Sequence, residues 1–267
     1  MKLEQIKAIL ADSPTEDVLQ QLKSDTRAGV KKLLASYYRQ NELERLEKER
    51  MAVMYKYERD LYNKGLQYIA GVDEAGRGPL AGPLVVAAVI LEKEQFFSGL
   101  NDSKKTSEKK RETLFAEIMQ HAVAVKVEII PRKIIDEVNI YQATILGMQK
   151  ALQGLPVQPQ AALIDAMPLT NLPFSTISLV HGDSLSASIA AASIIAKVTR
   201  DRLMAEFSVV YPEYGFAKNK GYGTKEHLDA LDSYGFTPEH RVSFEPLKGM
   251  ISGGNTFEYS RNTSTNR

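Results

Sequence analysis

Four acidic residues have the type and setting to do chemistry: Asp73 and Glu74, side by side, then Asp165, then Asp183. Each ends an apolar, β-leaning run: residues 68–72 before the pair, Ala-Ala-Leu-Ile before Asp165, and Ser-Leu-Val-His-Gly before Asp183. Strand ends of one α/β sheet can converge on a crevice. Two carboxylates ~4 Å apart repel by ~4 kcal/mol at a surface-like effective dielectric, so a converged set of four requires cations. The chain has no cysteine, and an all-oxygen donor set points to Mg²⁺ or Mn²⁺. Two such ions ~3.5–4 Å apart are the usual device for in-line displacement at a phosphodiester. Taken singly, each acid has a plainer reading: the pair as the solvated tip of a hairpin, Asp165 as a turn residue, Asp183 as the N-cap of the helix that follows. Adjacent residues on a regular strand face opposite sides. Asp73 and Glu74 are therefore expected to share a site only if the strand ends or bulges between them.

Beside the pair lies Gly76-Arg77-Gly78, an arginine between two glycines. Glycine lets backbone approach a ligand closely and arginine matches phosphate with two donors; the alternative is a tight turn with an exposed arginine. The spacing of Gly76, Gly78 and Gly82, with a strand rather than a helix following, excludes a dinucleotide fingerprint. Two basic clusters follow: Lys104, Lys105, Lys109, Lys110 and Arg111, then Lys218, Lys220 and Lys225 with Phe216 and Tyr222 interleaved. Aromatics among lysines suit stacking beside a phosphate track, although either cluster alone reads as a solvated face. Lys197 and Arg200, three apart on a long helix, could extend the track.

The elements that must position these residues follow from periodicity. The 267 residues are 43% hydrophobic and 25% charged with net charge +1, as in an ordinary globular protein, and any basic surface must be local. Disulfides, thiol nucleophiles and cysteine-ligated zinc are excluded. The start, Met1-Lys-Leu-Glu-Gln-Ile-Lys, lacks an apolar signal core, and the longest weakly polar stretch, residues 185–196, is too short to span a bilayer; a cytoplasmic location is expected. Residues 1–66 are charge-rich with apolar positions at three- and four-residue steps, which predicts one or two short helices and then a long one, capped near Asp25, broken near Gln40-Asn41 and stopped by Gly65. This extension either packs on the main domain or meets nucleic acid or a partner through Lys31, Lys32 and Arg39. Residues 67–91 read as strand, glycine turn, strand. Next come a helix capped by Thr106 or Ser107, a strand over 122–130 with Val123, Val125, Val127 and Ile129 on one face, a short helix after Pro131 and a second over 140–153. Strands at 161–164 and 175–180, a long Ala/Ser-rich helix over 184–207, a polar aromatic loop and a helix over 224–233 complete the pattern. A hairpin followed by alternating strands and helices argues for a mixed α/β sheet, with residues 251–267 as a frayed tail.

The stretch Gly-Val-Asp73-Glu74-Ala-Gly-Arg-Gly-Pro-Leu-Ala-Gly-Pro, then Asp102-Ser-Lys104, Ile164-Asp165, Gly182-Asp183, the Ala-rich helix and Lys220-Gly-Tyr222-Gly-Thr resemble bacterial ribonuclease HII, in order and spacing, over residues 68–248. The related ribonuclease HIII fits less well, lacking this Gly-Arg-Gly turn. The resemblance implies a ribonuclease H-like sheet flanked by helices, with a catalytic domain over 67–250 and a small C-terminal helical part. It implies that Asp73, Glu74, Asp165 and Asp183 are the metal-binding catalytic acids. Gly76, Arg77 and Gly78 would then recognise a ribonucleotide 2′-OH and the adjacent phosphate, Tyr222 would stack on the junction's deoxyribose, and Lys104 would contact phosphate. The expected activity is cleavage of RNA in RNA–DNA hybrids and nicking 5′ of ribonucleotides embedded in duplex DNA, with two Mn²⁺ or Mg²⁺ ions and without a nucleotide cofactor or membrane. The alternative is a non-catalytic nucleic-acid-binding module of the same fold.

Overall fold

The structure is a computed structural model that describes residues 1–252. The remainder of the expected tail lies outside the described residues. Two compact units divide the chain, one over Met1–Ala52 and one beginning at Val53.

The first unit is helical: α1 (Leu3–Ala11), α2 (Glu16–Lys23) and most of α3 (Ala28–Met54). Ile6, Leu10, Leu19, Leu22, Val30 and Leu34 form its core. The spacing predicts a break near Gln40-Asn41, but α3 runs straight through, with Gln40 bonded to Glu44 and Arg45 bridging Glu42 and Glu49. Such three- and four-residue pairs support an exposed helix. The break falls instead at Tyr55, whose buried ring donates its hydroxyl to the Gln95 carbonyl at 2.7 Å; tertiary burial, not local propensity, ends the helix there. Lys31, Lys32 and Arg39 are exposed.

In the second unit, α4 (Lys56–Tyr62) leads into a five-stranded sheet of order β3-β2-β1-β4-β5. The strands are β1 (Ile69–Ala75), β2 (Leu84–Ile90), β3 (Ala124–Ile130), β4 (Ala161–Asp165) and β5 (Ser175–Leu179). β1, β2 and β3 are antiparallel neighbours, while β1, β4 and β5 run parallel. The fully apolar run Leu84–Ile90 is what a strand covered on both faces requires. On one face, α6 (Arg132–Gln153) packs on Val72, Val86, Ala88 and Ile164. Its two predicted helices meet at a kink at Asn139 (φ 67°), which accepts a hydrogen bond from the Gln142 N–H as a helix cap.

The other face is covered by α7 (Ala187–Val210). Alanines at 187, 190, 191, 192 and 196 let this helix sit against β1. A Cβ placed on Gly71 would lie 2.0 Å from the Ser188 carbonyl carbon, so only glycine permits that approach. The cap of α7 is Ser186, whose hydroxyl accepts from the Ile189 N–H at 3.2 Å. Asp183 lies upstream in a single 3₁₀ turn, Gly182–Ser184, and does not cap the helix. Edge strand β3 carries its expected apolar face at Val125, Val127 and Ile129 half-buried to exposed, with Ile129 48% accessible, while Ala124 and Ile130 enter the core. α5 (Glu108–His121) is capped by Ser107. α8 (Phe216–Asn219), α9 (Lys225–Tyr234, capped by Thr224) and α10 (Leu247–Ser252) form the C-terminal part, so Ile251 and Ser252, expected in the tail, are helical.

Candidate active site

The parallel ladder between β1 and β4 stops at the Val72–Ile164 pair, while β1 stays paired with β2 as far as Ala75. Strand β1 therefore neither ends nor bulges between Asp73 and Glu74, contrary to the expectation. The opening is on the other flank. Beyond Val72, β1 has lost its β4 neighbour, and Asp165 closes β4 beside the gap. Asp183 follows β5 by one turn. The acids thus gather at the C-terminal ends of the parallel strands, the side on which ligands enter open α/β sheets.

Burial, and then Glu74 and Asp165, hold the Asp73 carboxyl well above the ordinary carboxylate range, against hydrogen bonds from the Ser193 hydroxyl and the Glu74 N–H (2.7 Å). Burial also pushes Glu74 up to about 7, with Arg77 opposing and Asp165 adding to the rise. The Arg77 guanidinium leans on Glu74 at 3.6 Å. Glu74 Oε2 is buried without a hydrogen-bond partner. Asp165 accepts the Gly182 N–H at 2.7 Å. Burial raises Asp183, and Asp102 and Asp165 add to it.

Among the described residues, no three Asp, Glu or His side chains point at one spot closely enough to cage an ion; several carboxylate oxygens are turned to backbone and hydroxyl donors instead. The chemistry of the set still fits a divalent cation. Like charges crowd one crevice, and a buried carboxylate oxygen lacks any partner, a combination that costs free energy until positive charge arrives.

Lys104 stands at the rim of this group. Partial burial opposes its charge, yet Asp102, Asp183, Asp73 and Asp165 together raise its ammonium above the ordinary lysine value. The Gly76–Gly78 turn leads directly out of β1. Gly76 has φ +97°, and a Cβ there would fall 2.0 Å from Arg200 Nε. Gly78 faces Tyr222, 3.6 Å from its ring to an added Cβ, and the Tyr222 ring is 49% exposed. The acids, the glycine turn and Tyr222 are thus linked by contact, Glu74 to Arg77 and Gly78 to Tyr222, with Lys104 beside the acids.

Three expected contributors fall away. Phe216 is fully buried against Tyr214 and His227. Arg200 is fully buried, and Lys197 is paired with Asp201 at 2.5 Å. Helical spacing alone suggested a shared face for Lys197 and Arg200, but that face is packed. Other residues that matter here were not singled out. Asp102 faces Asp183; Glu58 accepts from Ser186 Oγ (2.6 Å) and the Ser188 N–H (2.9 Å) at the start of α7; and Arg241 is buried beneath the glycine turn. Of these, only Asp102, in Asp102-Ser103-Lys104, carries a sequence signal.

The model of the family described as Ribonuclease HII matches residues 70–246, and that of the Ribonuclease HII N-terminal domain matches residues 2–62. The chain belongs to the ribonuclease HII family. Ribonuclease HII of Bacillus cereus (strain B4264) is 51% identical over 253 residues, covering 94% of this chain and 98% of that protein. Among solved structures, the ribonuclease H2 from Pyrococcus horikoshii superposes with a TM-score of 0.61 at 28% identity, over 70% of this chain and 98% of that one. The Archaeoglobus fulgidus enzyme, solved as a PCNA:RNase HII complex, gives 0.56 at 26% identity, over 67% and 95%. As a ribonuclease HII, the chain is an endoribonuclease, a hydrolase acting on RNA in RNA–DNA hybrids, and its family is divalent-metal-dependent. Among the described residues, no helix is long and apolar enough to cross a membrane.

Proposed function

We propose that this ribonuclease HII nicks duplex DNA on the 5′ side of embedded ribonucleotides as well as cutting hybrids, leaving 5′-phosphate and 3′-hydroxyl ends, and that it does so in the cytoplasm. The observation that carries the reading is the linkage by contact from the crowded acids at the strand ends to a glycine turn packed against an exposed tyrosine. Residues 67–250 form the catalytic domain in this reading. The helices of residues 1–66 offer exposed Lys31, Lys32 and Arg39 to nucleic acid or a partner.

Asp73, Glu74, Asp165 and Asp183 would hold the divalent metal, Mn²⁺ or Mg²⁺ and two ions in the substrate complex. When bound, such ions lower the pKa of water and neutralise charge on the leaving oxygen. The protein's own groups do the rest. Arg77, which rests on Glu74 in the free enzyme, exchanges that carboxylate for a phosphate, to which its fork is matched. The turn at Gly76–Gly78 brings backbone close to the sugar, where a 2′-hydroxyl distinguishes RNA from DNA. Tyr222 offers a stacking face to the neighbouring deoxyribose, and Lys104 faces the scissile backbone. Selectivity is then geometric, because the 2′-OH helps seat the reacting phosphate over the acids.

Cleavage of an end-labelled DNA duplex carrying one ribonucleotide tests this reading, with Mg²⁺, with Mn²⁺ and with chelator. A metal-dependent nick 5′ of the ribonucleotide, absent from all-DNA duplex, is expected. No nick under either metal, from protein that is folded by circular dichroism, would refute it.

A further inference from the structure

Arg200 and Arg241 are the largest fully buried side chains among the described residues. Burial pulls their guanidinium groups down to about 10 and about 9, which leaves both cationic at neutral pH. Their hydrogen bonds all go to backbone carbonyls. Arg241 donates to Gly76 (2.7 Å), Arg77 (3.0 Å) and Gly82 (3.0 and 2.8 Å). Arg200 donates to Ala81 (3.0 Å), Pro83 (3.0 Å) and Lys220 (2.9 Å).

Two consequences follow. The first is orientation. In a trans peptide the C=O and the next N–H point in opposite directions. Holding the carbonyls of Gly76 and Arg77 inward therefore turns the N–H groups of Arg77 and Gly78 away from the clamp. The second is connection. Arg200 binds the 81–83 segment and Lys220 at once, Leu80 N–H donates to the Gly221 carbonyl at 2.8 Å, and a Cβ on Gly221 would lie 2.4 Å from Ala81 O. The glycine turn and the segment ending at Tyr222 are one unit riding on two cations.

We propose that Arg200 and Arg241 are positioning residues for ribonucleotide selectivity: they fix the donors of the Gly76–Gly78 turn and the spacing from that turn to Tyr222 without touching nucleic acid. The proposal rests on the assignment of those residues to ribonucleotide recognition. Lysine cannot replace either arginine, since one ammonium on a flexible stem lacks the planar fork that reaches three carbonyls.

The test uses full-length Arg241→Lys and, separately, Arg200→Lys, both of which keep the charge. Two readouts are needed: amide hydrogen exchange over residues 75–83 and 219–223, and KM and kcat on a duplex with one ribonucleotide and on a long RNA–DNA hybrid. Exchange should rise in those two segments while β1–β5 stay protected. KM on the single-ribonucleotide duplex should rise about tenfold to a hundredfold, as misplacement of a substrate-holding group does, with kcat changed far less and with a smaller KM rise on the hybrid, which carries the 2′-OH but no deoxyribose for Tyr222 at the cut. If one variant fails to fold, the other decides, because the two arginines hold the same unit. Wild-type protection in a folded variant would overturn the clamp, and raised exchange with unchanged selectivity would reduce it to a structural support and overturn the proposal. A wild-type enzyme indifferent to the ribonucleotide would overturn the recognition assignment and the selectivity with it, while the exchange data would still show whether the arginines hold the turns.

Discussion

At the strand ends, Asp73, Glu74, Asp165 and Asp183 crowd like charges into one crevice, and Glu74 keeps a buried oxygen without a partner. A few residues away, Arg200 and Arg241 bury charge just as deeply, yet every donor they use meets a carbonyl. Both regions lack a full counter-ion, but only one is satisfied from within the chain. Satisfied buried charge is scaffolding. Unsatisfied, mutually repelling charge at an opening is built for something that arrives. Glu58 marks the limit of that rule. It too leaves Oε2 unpartnered, but it is sealed, and burial pushes its carboxyl toward the neutral form; a single protonated acid needs no ligand.

The comparison breaks most directly at Asp73. Asp73→Asn keeps shape and removes a charge from the crevice, so activity should fall on the order of a thousandfold or more, the several kcal/mol that a lost metal-ion contact removes from transition-state stabilisation. Circular dichroism and melting should stay at or above wild type. A folded, fully active variant would remove Asp73 from the chemistry.

Glu74 sharpens the same point through stability. Its carboxyl sits at about 7 in the fold against an ordinary 4.5, so the folded state holds the proton more tightly than the unfolded chain. The stability this proton supplies is complete below about pH 4.5 and is lost as pH rises through 7. Without divalent ions, Glu74→Gln should therefore be more stable than wild type at pH ~8, by on the order of 2 kcal/mol, and the gain should shrink steadily toward pH ~4.5 and vanish below it. Denaturant titrations at the two pH values check it; equal midpoints at pH ~8 would show that Glu74 is not strained.

The smallest effect belongs to charge in water. Glu42 pairs with Arg45 on the exposed surface of α3, and Glu42→Ala should leave the denaturation midpoint at its wild-type value. A lowered midpoint would mean that charge matters in this protein regardless of burial.

Much of this contrast was legible beforehand, and for a physical reason. An acid at the end of an apolar run is locally anomalous, so Asp73, Glu74 and Asp165 announce themselves, and the glycines at 76 and 78 do the same through backbone demand. Asp183 needed the structure, because an acid before a helix reads equally as a cap until Ser186 is seen to take that role. Arg200 and Arg241 were opaque: their partners lie 20 to 165 residues away and are carbonyls, which have no side-chain signature. Three-residue spacing from Lys197 makes Arg200 a candidate for a basic track, since spacing says nothing about which face is packed. The break at Tyr55 and the half-exposed apolar face of β3 escaped for the same reason, both being decided by what packs against them rather than by the local run.

Calorimetric titration of Mn²⁺ into wild type, Asp73→Asn and Arg241→Lys tests the central claim, that the unsatisfied acids and not the satisfied arginines await the metal. Wild type and Arg241→Lys should bind with similar affinity, and Asp73→Asn should lose most or all of the binding heat. Undiminished Mn²⁺ binding by folded Asp73→Asn would contradict the account.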